Sequence, residues 1–297
     1  MKRHYLKALF NRRYLLFELL REWYVRFFMP APIVMSREET IDYILQNKCS
    51  VSRNGDGEIF LMRGRRIDFQ ESNPRLSELM KRALSESNAQ YLPCIIDVFR
   101  KDYKPSPYYR THLLHYRYYW YKFTNSKVMY GDAGITRFYG SPKDAVRAKE
   151  TVESLRRIWD KRNILIVEGE KSRLGIGNDL FDNAIVIRRI LAPSINAFSR
   201  YDEIKQVTEN NSDKDTLILL ALGPTATALA YELYKDGYWA IDIGHVDICY
   251  EWYIRGLERG DNIPGKYTNE SDGEKLVGTL PESALAKYHS EIIAEIH

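Results

Sequence analysis

Residues 216–243, TLILLALGPTATALAYELYKDGYWAIDI, contain the pattern that decides the fold. The apolar run Thr216–Ala221 is typical of a strand that is buried on both faces. The segment Gly223–Thr225 then begins a predicted helix, which Gly237 is placed to end. A second apolar run, Tyr238–Ile243, follows at once. Strand, helix and strand in this order predict a βαβ unit, whose two strands lie parallel in one sheet.

The same alternation of strands and helices continues along the chain. Predicted strands lie at residues 49–51, 127–130, 163–167 and 184–187, and predicted helices at residues 36–46, 73–86, 144–159 and 201–207. The first of these helices begins with Ser36-Arg37-Glu38-Glu39, which has the form of a capping box. Together these elements predict an α/β fold with a largely parallel sheet and flanking helices.

Length and composition narrow the class of protein. The chain of 297 residues is long enough for one large domain or two small ones, and its hydrophobic fraction of 44% is enough for a sizeable core. A net charge of only +4 does not indicate nucleic-acid binding. Three widely separated cysteines argue against a disulfide framework or a structural zinc site: Cys49, Cys94 and Cys249.

No run is apolar enough to span a bilayer and the N-terminus lacks the form of a secretory signal, so we expect a cytoplasmic protein.

Residues 1–28 predict a basic amphipathic helix, which Met29–Pro32 ends. Such a helix can lie on the anionic inner face of a membrane, and the protein would then be peripheral. It can equally pack on its own domain or on a partner subunit, so both interpretations stay open. We therefore divide the chain into this N-terminal helix, residues 1–30, and a main domain, residues 31–297.

The segment SRNGDGE, residues 52–58, follows a predicted strand and carries two carboxylates one residue apart. These are Asp56 and Glu58, and Gly55 before them lets the backbone turn sharply and approach a ligand closely. Carboxylate oxygens are the ligands that Mg²⁺ and Mn²⁺ prefer. The pair can therefore hold a metal, and the metal can hold a diphosphate. Gly-Asp-Gly is also an ordinary turn sequence, which is the simpler alternative.

Ligands of an open parallel sheet bind outside the carboxyl ends of its strands, and three further segments lie there. In residues 168–179, EGEKSRLGIGND, backbone amides near the glycines and the bases Lys171 and Arg173 can cradle phosphate. The amides at the start of the helix after Gly223 favour an anion, although Thr225 can simply cap that helix. His245 and Asp247 follow another strand, and either can be a metal ligand or a general base. A connector loop and a buried structural histidine remain the alternatives.

Four of these segments, in this order, resemble the GT-D type glycosyltransferases: SRNGDGE, EGEKSRLGIGNDLFDNA, GPTATALAYEL and AIDIGHVDICYEW. The resemblance covers residues 36 to 275. It implies a Rossmann-like fold, a UDP-sugar donor, often UDP-glucose, and a divalent metal, usually Mn²⁺ (or Mg²⁺). The D-x-E motif of the family falls on Asp56 and Glu58, and its preceding arginine falls on Arg53. Asn54 departs from the family pattern, in which we expect an aromatic residue.

The resemblance implies a metal-dependent glycosyltransferase that moves a hexose, by expectation glucose, to a glycan, glycoprotein or lipid-linked acceptor. Asp56 and Glu58 would hold the metal, and His245 or Asp247 would deprotonate the acceptor. The expected donor-binding residues are Arg53, Gly55, Glu168, Lys171, Arg173, Gly175, Gly177, Asn178, Gly223 and Thr225. Two alternatives remain, a metal-dependent nucleotide phosphohydrolase and a non-catalytic nucleotide-binding scaffold. A homo-oligomer is compatible with all three.

The aromatic residues between positions 108 and 121 have two interpretations. They can contact an acceptor glycan, or they can pack in the core or in a dimer interface. They include Tyr108, Tyr109, Tyr116, Tyr118, Tyr119, Trp120 and Tyr121.

Overall fold

The computed structural model describes residues 16–96, 98–99, 116–267 and 280–297. Within these residues, nine strands form one sheet: β1 (Ile33–Val34), β2 (Ser50–Asn54), β3 (Tyr91–Ile95), β4 (Met129–Asp132), β5 (Asn163–Gly169), β6 (Val186–Ala192), β7 (Leu217–Ala221), β8 (Trp239–Asp242) and β9 (Ile292–Glu295). The strand order is β1-β4-β3-β2-β8-β7-β5-β6-β9, and every neighbouring pair is parallel. The predicted α/β fold with a largely parallel sheet is confirmed.

Helices cover both faces of the sheet: α1 (residues 16–28), α2 (Arg37–Asn47), α3 (Asp56–Met62), α4 (Pro74–Ala83), α5 (residues 116–123), α6 (Ala145–Trp159), α7 (Tyr201–Asn210), α8 (Pro224–Lys235), α9 (Val246–Arg255) and α10 (Glu282–Glu291). One core contains α2, α6 and α9, and the other contains α3, α4, α7 and α8. Alternate residues of one strand point into the two cores. For example, Ile164 and Ile166 of β5 lie in the first core and Leu165 in the second. This two-sided burial is why the central strands are apolar throughout.

Several local predictions are confirmed. At the start of α2, the Glu39 amide donates to Ser36 Oγ at 3.2 Å and the Ser36 amide donates to Glu39 Oε2 at 2.7 Å, which completes the capping box. Helix α8 ends at Lys235, and Gly237 follows with φ +80°. Trp120 and Tyr121 are buried, so this part of the aromatic segment belongs to the core. Tyr108 and Tyr109 lie outside the described residues.

Other elements differ from the sequence predictions. The sequence predicts that β6 ends at Ile187, but the strand continues to Ala192. It can include the buried Arg189 because two carboxylates, those of Glu168 and Glu291, pair with its guanidinium. Strand β3 was not predicted, since it contains Pro93, which cannot donate a hydrogen bond to a neighbouring strand. Of the predicted N-terminal helix, residues 16–28 are helical and residues 1–15 lie outside the described part. No described helix combines the length and the apolar character that crossing a bilayer requires.

A buried ion triad joins the C-terminal elements to the sheet. Arg189 on β6 donates from Nη1 to Glu168 Oε1 and from Nε to Glu291 Oε2, each at 2.6 Å. The side chain of Arg189 is 1% exposed and that of Glu168 is fully buried. Glu291 is the last residue of α10, which leads directly into β9. The triad therefore connects β5, β6 and the C-terminal segment.

Replacing the central arginine of this triad should be costly. In the Arg189→Met variant two buried carboxylates lose their cation, and we expect the free energy of unfolding to fall by about 3–5 kcal/mol. The control is Arg82→Met, which removes an exposed pair with Glu78 and should cost less than about 1 kcal/mol. Urea unfolding followed by circular dichroism measures both. Equal losses in the two variants would contradict the structural role of the triad.

Candidate functional site

The candidate site lies at the carboxyl ends of β2 and β8, two neighbouring strands at the centre of the sheet. The chain leaves β2 into α3, which packs on one face, and leaves β8 into α9, which packs on the other. Helices that depart to opposite faces leave a crevice between the two strand ends. In open α/β sheets this switch point is where ligands bind.

Arg53, near the end of β2, bridges this crevice. Its Nε donates to the main-chain oxygen of Asp242 at 3.1 Å and to Oδ1 of the same residue at 3.4 Å. Its Nη1 donates to the hydroxyl of Thr136, which follows β4. Thr227 of α8 donates to the main-chain oxygen of Arg53 at 2.8 Å. This arginine, which the sequence predicts to bind the sugar donor, therefore has partners on three elements. Asp242 and Thr136 fix the position of its guanidinium, and Thr227 holds its main chain.

Asp56 and Glu58 lie in the first turn of α3, and this corrects the expectation that they belong to a loop. The backbone turns into a helix directly after Gly55, whose amide donates to Glu58 Oε2 at 2.6 Å. Burial raises the pKa of Glu58 to about 7, the hydrogen bond from Gly55 opposes the rise, and the carboxylates of Asp242 and Asp56 add to it. Three carboxylates thus share the positive end of a short helix and the end of β8.

Two further arginines and a histidine complete the site. Arg137 donates from Nη2 to His245 Nδ1 at 3.2 Å. Burial lowers the pKa of Arg137 to about 10, and the charges of Arg259 and Arg53 lower it further, while Asp56 and Glu58 oppose the shift. Burial and the same three arginines hold the pKa of His245 well below its ordinary value of 6.5, so this histidine is neutral at pH 7.

The sequence prediction missed Arg137, Arg259, Thr136 and Asp242 as members of the site. Arg137 and Thr136 follow β4 closely, so the rule that ligands bind at strand ends would have found them. Asp242 is the last residue of β8 and had the same signal. Arg259 follows α9 and carries no local signal, because only the folding of that segment back towards the sheet brings it to His245.

The position of Arg53 leaves no room for a side chain at position 244, where the chain has a glycine. Its φ is +39°, and an added Cβ would lie 1.7 Å from Arg53 Nη2. A side chain at this position would therefore displace the guanidinium as well as strain the backbone.

Other predicted residues form a second cluster around Asp247, in the first turn of α9. Its carboxylate accepts from Lys266 Nζ at 2.7 Å, from Asn178 Nδ2 at 2.8 Å and from the Gly175 amide at 2.9 Å. Lys266 and Asn178 also bind Glu251, one turn further along α9. Asp247 therefore has a full set of partners within the protein, although it lies only two residues after His245.

The remaining predicted donor-binding residues lie at the end of β5, in the segment after it, and at the start of α8. Glu168 is bound by Arg189 and by the Leu174 amide, and Arg173 donates to the main-chain oxygen of Gly265 at 3.1 Å. Lys171 and Gly177 are exposed. Thr225, at the start of α8, is buried and bonds to Gln70 at 3.3 Å. An added Cβ on the neighbouring Gly223 would lie 3.1 Å from the ring of Phe69. Their roles in donor binding stay predictions.

The carboxylates suit a divalent cation that also has a phosphate ligand. In the part of the chain that the structure describes, no three or more acidic, histidine or cysteine side chains are grouped as a complete metal site. Mg²⁺ and similar hard cations are commonly held by one or two carboxylates, with substrate phosphates and water as the other ligands. Asp56 and Glu58 fit that donor set, and the arginines next to them fit the phosphates.

The chain is similar to several known proteins. Residues 51–271 match the family model described as the glycosyltransferase GT-D fold. The chain is 37% identical over 268 residues to the probable glycosyl transferase Gly of Streptococcus gordonii, and 36% identical over 264 residues to the glycosyltransferase GlyD of Streptococcus pneumoniae serotype 4. These matches cover 89% and 87% of this chain but 39% and 32% of the two relatives. The chain thus spans less than half the length of these curated relatives.

Solved structures agree with this family. One, described as a highly conserved domain of unknown function with a distinct glycosyltransferase fold, has a TM-score of 0.84 and 36% identity, and the match covers 94% of this chain and 100% of that chain. Another, described as a new glycosyltransferase from Streptococcus sanguinis, has a TM-score of 0.81 and 34% identity, and covers 90% of this chain and 100% of that one.

Removing the charge of Glu58 should stabilise the fold. Its folded pKa of about 7 lies above the ordinary value of 4.5, so the folded state binds the proton more tightly and loses stability as pH rises through this window. The Glu58→Gln variant cannot ionise there, and we expect its advantage over the wild type to grow from pH 5 to pH 8, reaching roughly 1–3 kcal/mol.

Thermal and urea unfolding in the presence of a chelator measure this effect without a bound cation. The control is Glu78→Gln on the exposed surface of α4, which should change stability by less than about 0.5 kcal/mol. A Glu58→Gln variant that is less stable than the wild type at pH 8 would contradict the raised pKa of Glu58.

Proposed function

Because the chain belongs to the glycosyltransferase GT-D fold family, we propose that it is a metal-dependent glycosyltransferase. Its donor is a UDP-sugar, with glucose as the proposed hexose, and its acceptor is a glycan or glycoconjugate. The observation that carries the proposal is the carboxylate pair Asp56 and Glu58 at the switch point of the sheet, within electrostatic range of Arg137. Opposite charges placed side by side suit a cation and a diphosphate bound together.

The arginines and the carboxylates have complementary roles in this proposal. Arg53, Arg137 and Arg259 form a positively charged wall for the diphosphate, and Arg53 is already held in place by Asp242 and by Thr136. Asp56 and Glu58 would hold Mn²⁺ or Mg²⁺. When bound, the cation would act as a Lewis acid that stabilises the departing UDP, so that no acid need protonate it.

His245 is the proposed general base, and its state depends on the arginines. In the protein without donor, burial and the charges of Arg137, Arg53 and Arg259 lower the pKa of His245, which makes it a weak base. The negative charges of a bound diphosphate would offset these arginines and strengthen it. Proton removal from the acceptor hydroxyl would therefore follow donor binding. Asp247 is the other proposed base, and it would first have to exchange the contact with Lys266 for one with the acceptor.

The second cluster is the proposed site of further donor contacts. Lys171 is exposed and its ammonium is available to a phosphate, whereas Arg173 is oriented by its bond to Gly265. Glu168 and Asn178 would act indirectly, by fixing the backbone of the segment between them. The acceptor class is a glycan, a glycoprotein or a lipid-linked sugar.

The direct test measures the release of UDP from a panel of UDP-sugars, with and without Mn²⁺. We expect metal-dependent release with one sugar, and at least a 100-fold loss in Asp56→Ala and in Glu58→Ala, because both carboxylates are proposed to hold the metal. Circular dichroism controls for folding.

Three outcomes of this test would contradict the proposal. Retained release in both folded variants would exclude the carboxylates as metal ligands. Metal-dependent cleavage of nucleotides that carry no sugar, at an equal or higher rate, would favour a phosphohydrolase. Binding of UDP without any turnover, in the presence of a broad acceptor panel, would favour a nucleotide-binding scaffold.

The Gly244→Ala variant tests the position of Arg53. The added methyl group would displace the guanidinium, and we expect kcat/KM for the UDP-sugar to fall at least tenfold. Gly237→Ala is the matched control, since Gly237 also has a positive φ, of +80°, and an added Cβ there meets no atom within 4 Å. Both variants should lose some stability to backbone strain. Equal effects on kcat/KM would show that strain, and not Arg53, determines the loss.

A further inference from the structure

Helix α1 presents its large apolar side chains to solvent. After Leu16 at the start of α1, which is exposed as well, six of them are each at least 52% exposed: Phe17, Leu20, Trp23, Tyr24, Phe27 and Phe28. We call these six residues the outer face of α1. Its aromatic rings contact one another, with centroids 5.2 Å apart for Trp23 and Phe28 and 5.5 Å apart for Tyr24 and Phe28. A continuous apolar surface of this kind marks a site of interaction.

The opposite side of α1 packs against α5 and carries the buried Val25 together with two acidic residues. Glu22 binds Arg117 at 2.7 Å, and Glu18 binds Arg21. Arg21 also lies over the rings of Tyr118 and Tyr119, at 5.2 Å and 5.5 Å from their centroids. A surface helix of a protein in water normally has the reverse arrangement, with its apolar side buried. The ion pairs therefore fix the rotation of α1 and keep its apolar side outward.

The sequence that precedes and forms α1 is basic. The acidic residues of positions 1–28 are Glu18 and Glu22, and both are paired on the buried side. Arg26 is exposed next to Phe27. The sequence before the helix adds further bases: Lys2, Arg3, Lys7, Arg12 and Arg13. Aromatic and aliphatic side chains flanked by arginine and lysine are the composition of a helix that lies in the interface of an anionic bilayer.

We propose that the outer face of α1 docks on an anionic lipid bilayer. The aromatic rings enter the region between headgroups and acyl chains, and the basic side chains contact anionic headgroups. The basic sequence favours lipid over protein as the partner, because an anionic bilayer has the opposite charge, whereas a second copy of the chain would add a segment of the same charge.

Docking in this orientation also affects the candidate site. Tyr116 of α5 packs on Phe60 of α3 with ring centroids 4.9 Å apart, and Arg63 after α3 lies 3.8 Å from the ring centroid of Tyr119. Phe60 is about one helical turn from Asp56. Helix α5 thus connects the buried side of α1 to α3, which carries Asp56. A lipid-linked acceptor follows from this geometry only in combination with the proposed transferase function.

The experiment is flotation of the full chain with vesicles of phosphatidylcholine and phosphatidylglycerol, compared with phosphatidylcholine alone. We expect binding to the anionic vesicles only, and at least about tenfold weaker binding for the Trp23→Ser/Phe27→Ser variant, because two anchoring rings are lost. For Arg26→Glu we expect binding at least about fivefold weaker than that of the wild type, since one positive charge is replaced by a negative one.

The matched controls change equally exposed side chains elsewhere. Val146→Ser/Ile185→Ser removes apolar residues that are 77% and 66% exposed, and Lys149→Glu reverses a charge on α6. Both should bind vesicles as the wild type does. Equal binding by all variants, or binding that ignores phosphatidylglycerol, would overturn the proposal.

Sedimentation without lipid tests the remaining alternative, in which the outer face of α1 binds a second copy of the chain. We expect the wild type and Trp23→Ser/Phe27→Ser to have the same mass. A dimer that this variant loses would overturn the proposal in favour of a second copy of the chain. Vesicle binding requires no donor, so the two proposals can fail separately. A wild-type chain that releases UDP but does not bind vesicles contradicts the docking alone. A wild-type chain that binds vesicles but does not release UDP contradicts the transferase function alone.

Discussion

The contact between Arg53 and Asp242 connects the ends of β2 and β8, and most of the candidate site depends on it. The two strands are neighbours, but α3 and α9 leave them towards opposite faces, so a gap opens where the strands end. Arg53 fills that gap and reaches Asp242 on one side and Thr136 on the other. Burial raises the pKa of Asp242 and the Arg53 cation opposes the rise, so the arginine also stabilises a carboxylate that the fold places inside.

The protein treats its buried charges in two different ways. In the triad of Glu168, Arg189 and Glu291, and in the cluster of Asp247 and Lys266, opposite charges meet at 2.6–2.8 Å. These groups satisfy one another and hold segments of the chain together. At the candidate site, groups of like charge also lie close together, beside the Arg53–Asp242 pair. Burial and three arginines lower the pKa of His245, and burial and two carboxylates raise the pKa of Glu58.

Gathering like charges costs stability, and a ligand of opposite charge recovers it. A carboxylate with a pKa of about 7 is held in a place that favours its neutral form, and a cation would reverse that preference. The arginines around His245 would be neutralised in the same way by a diphosphate. Perturbed groups of both signs in one crevice at the strand ends mark a candidate binding site. Helix α3 contacts α5, which in turn packs on the buried side of α1.

The sequence by itself determined the class of fold, the parallel sheet, several helix boundaries and the family. These follow from local patterns, since burial on both sides makes the central strands apolar, and capping residues such as Ser36 and Gly237 act within a few positions. It also determined that Arg53, Asp56 and Glu58 lie at a strand end. The strand-end rule does not say which strand ends are neighbours, because strand order depends on contacts between distant segments.

Only the tertiary structure decided which polar residues meet. Arg53 and Asp242 are 189 residues apart in the sequence, and no local pattern joins them. Asp247 lies two residues after His245, yet Lys266 and Asn178 take its carboxylate into a separate cluster. Arg189 lies two residues beyond the predicted strand 184–187, and the structure makes it the centre of a buried triad. The environment of a charged side chain is set by the packing of segments that the chain order keeps apart, and this is why the fold was predictable and the partners of its charges were not.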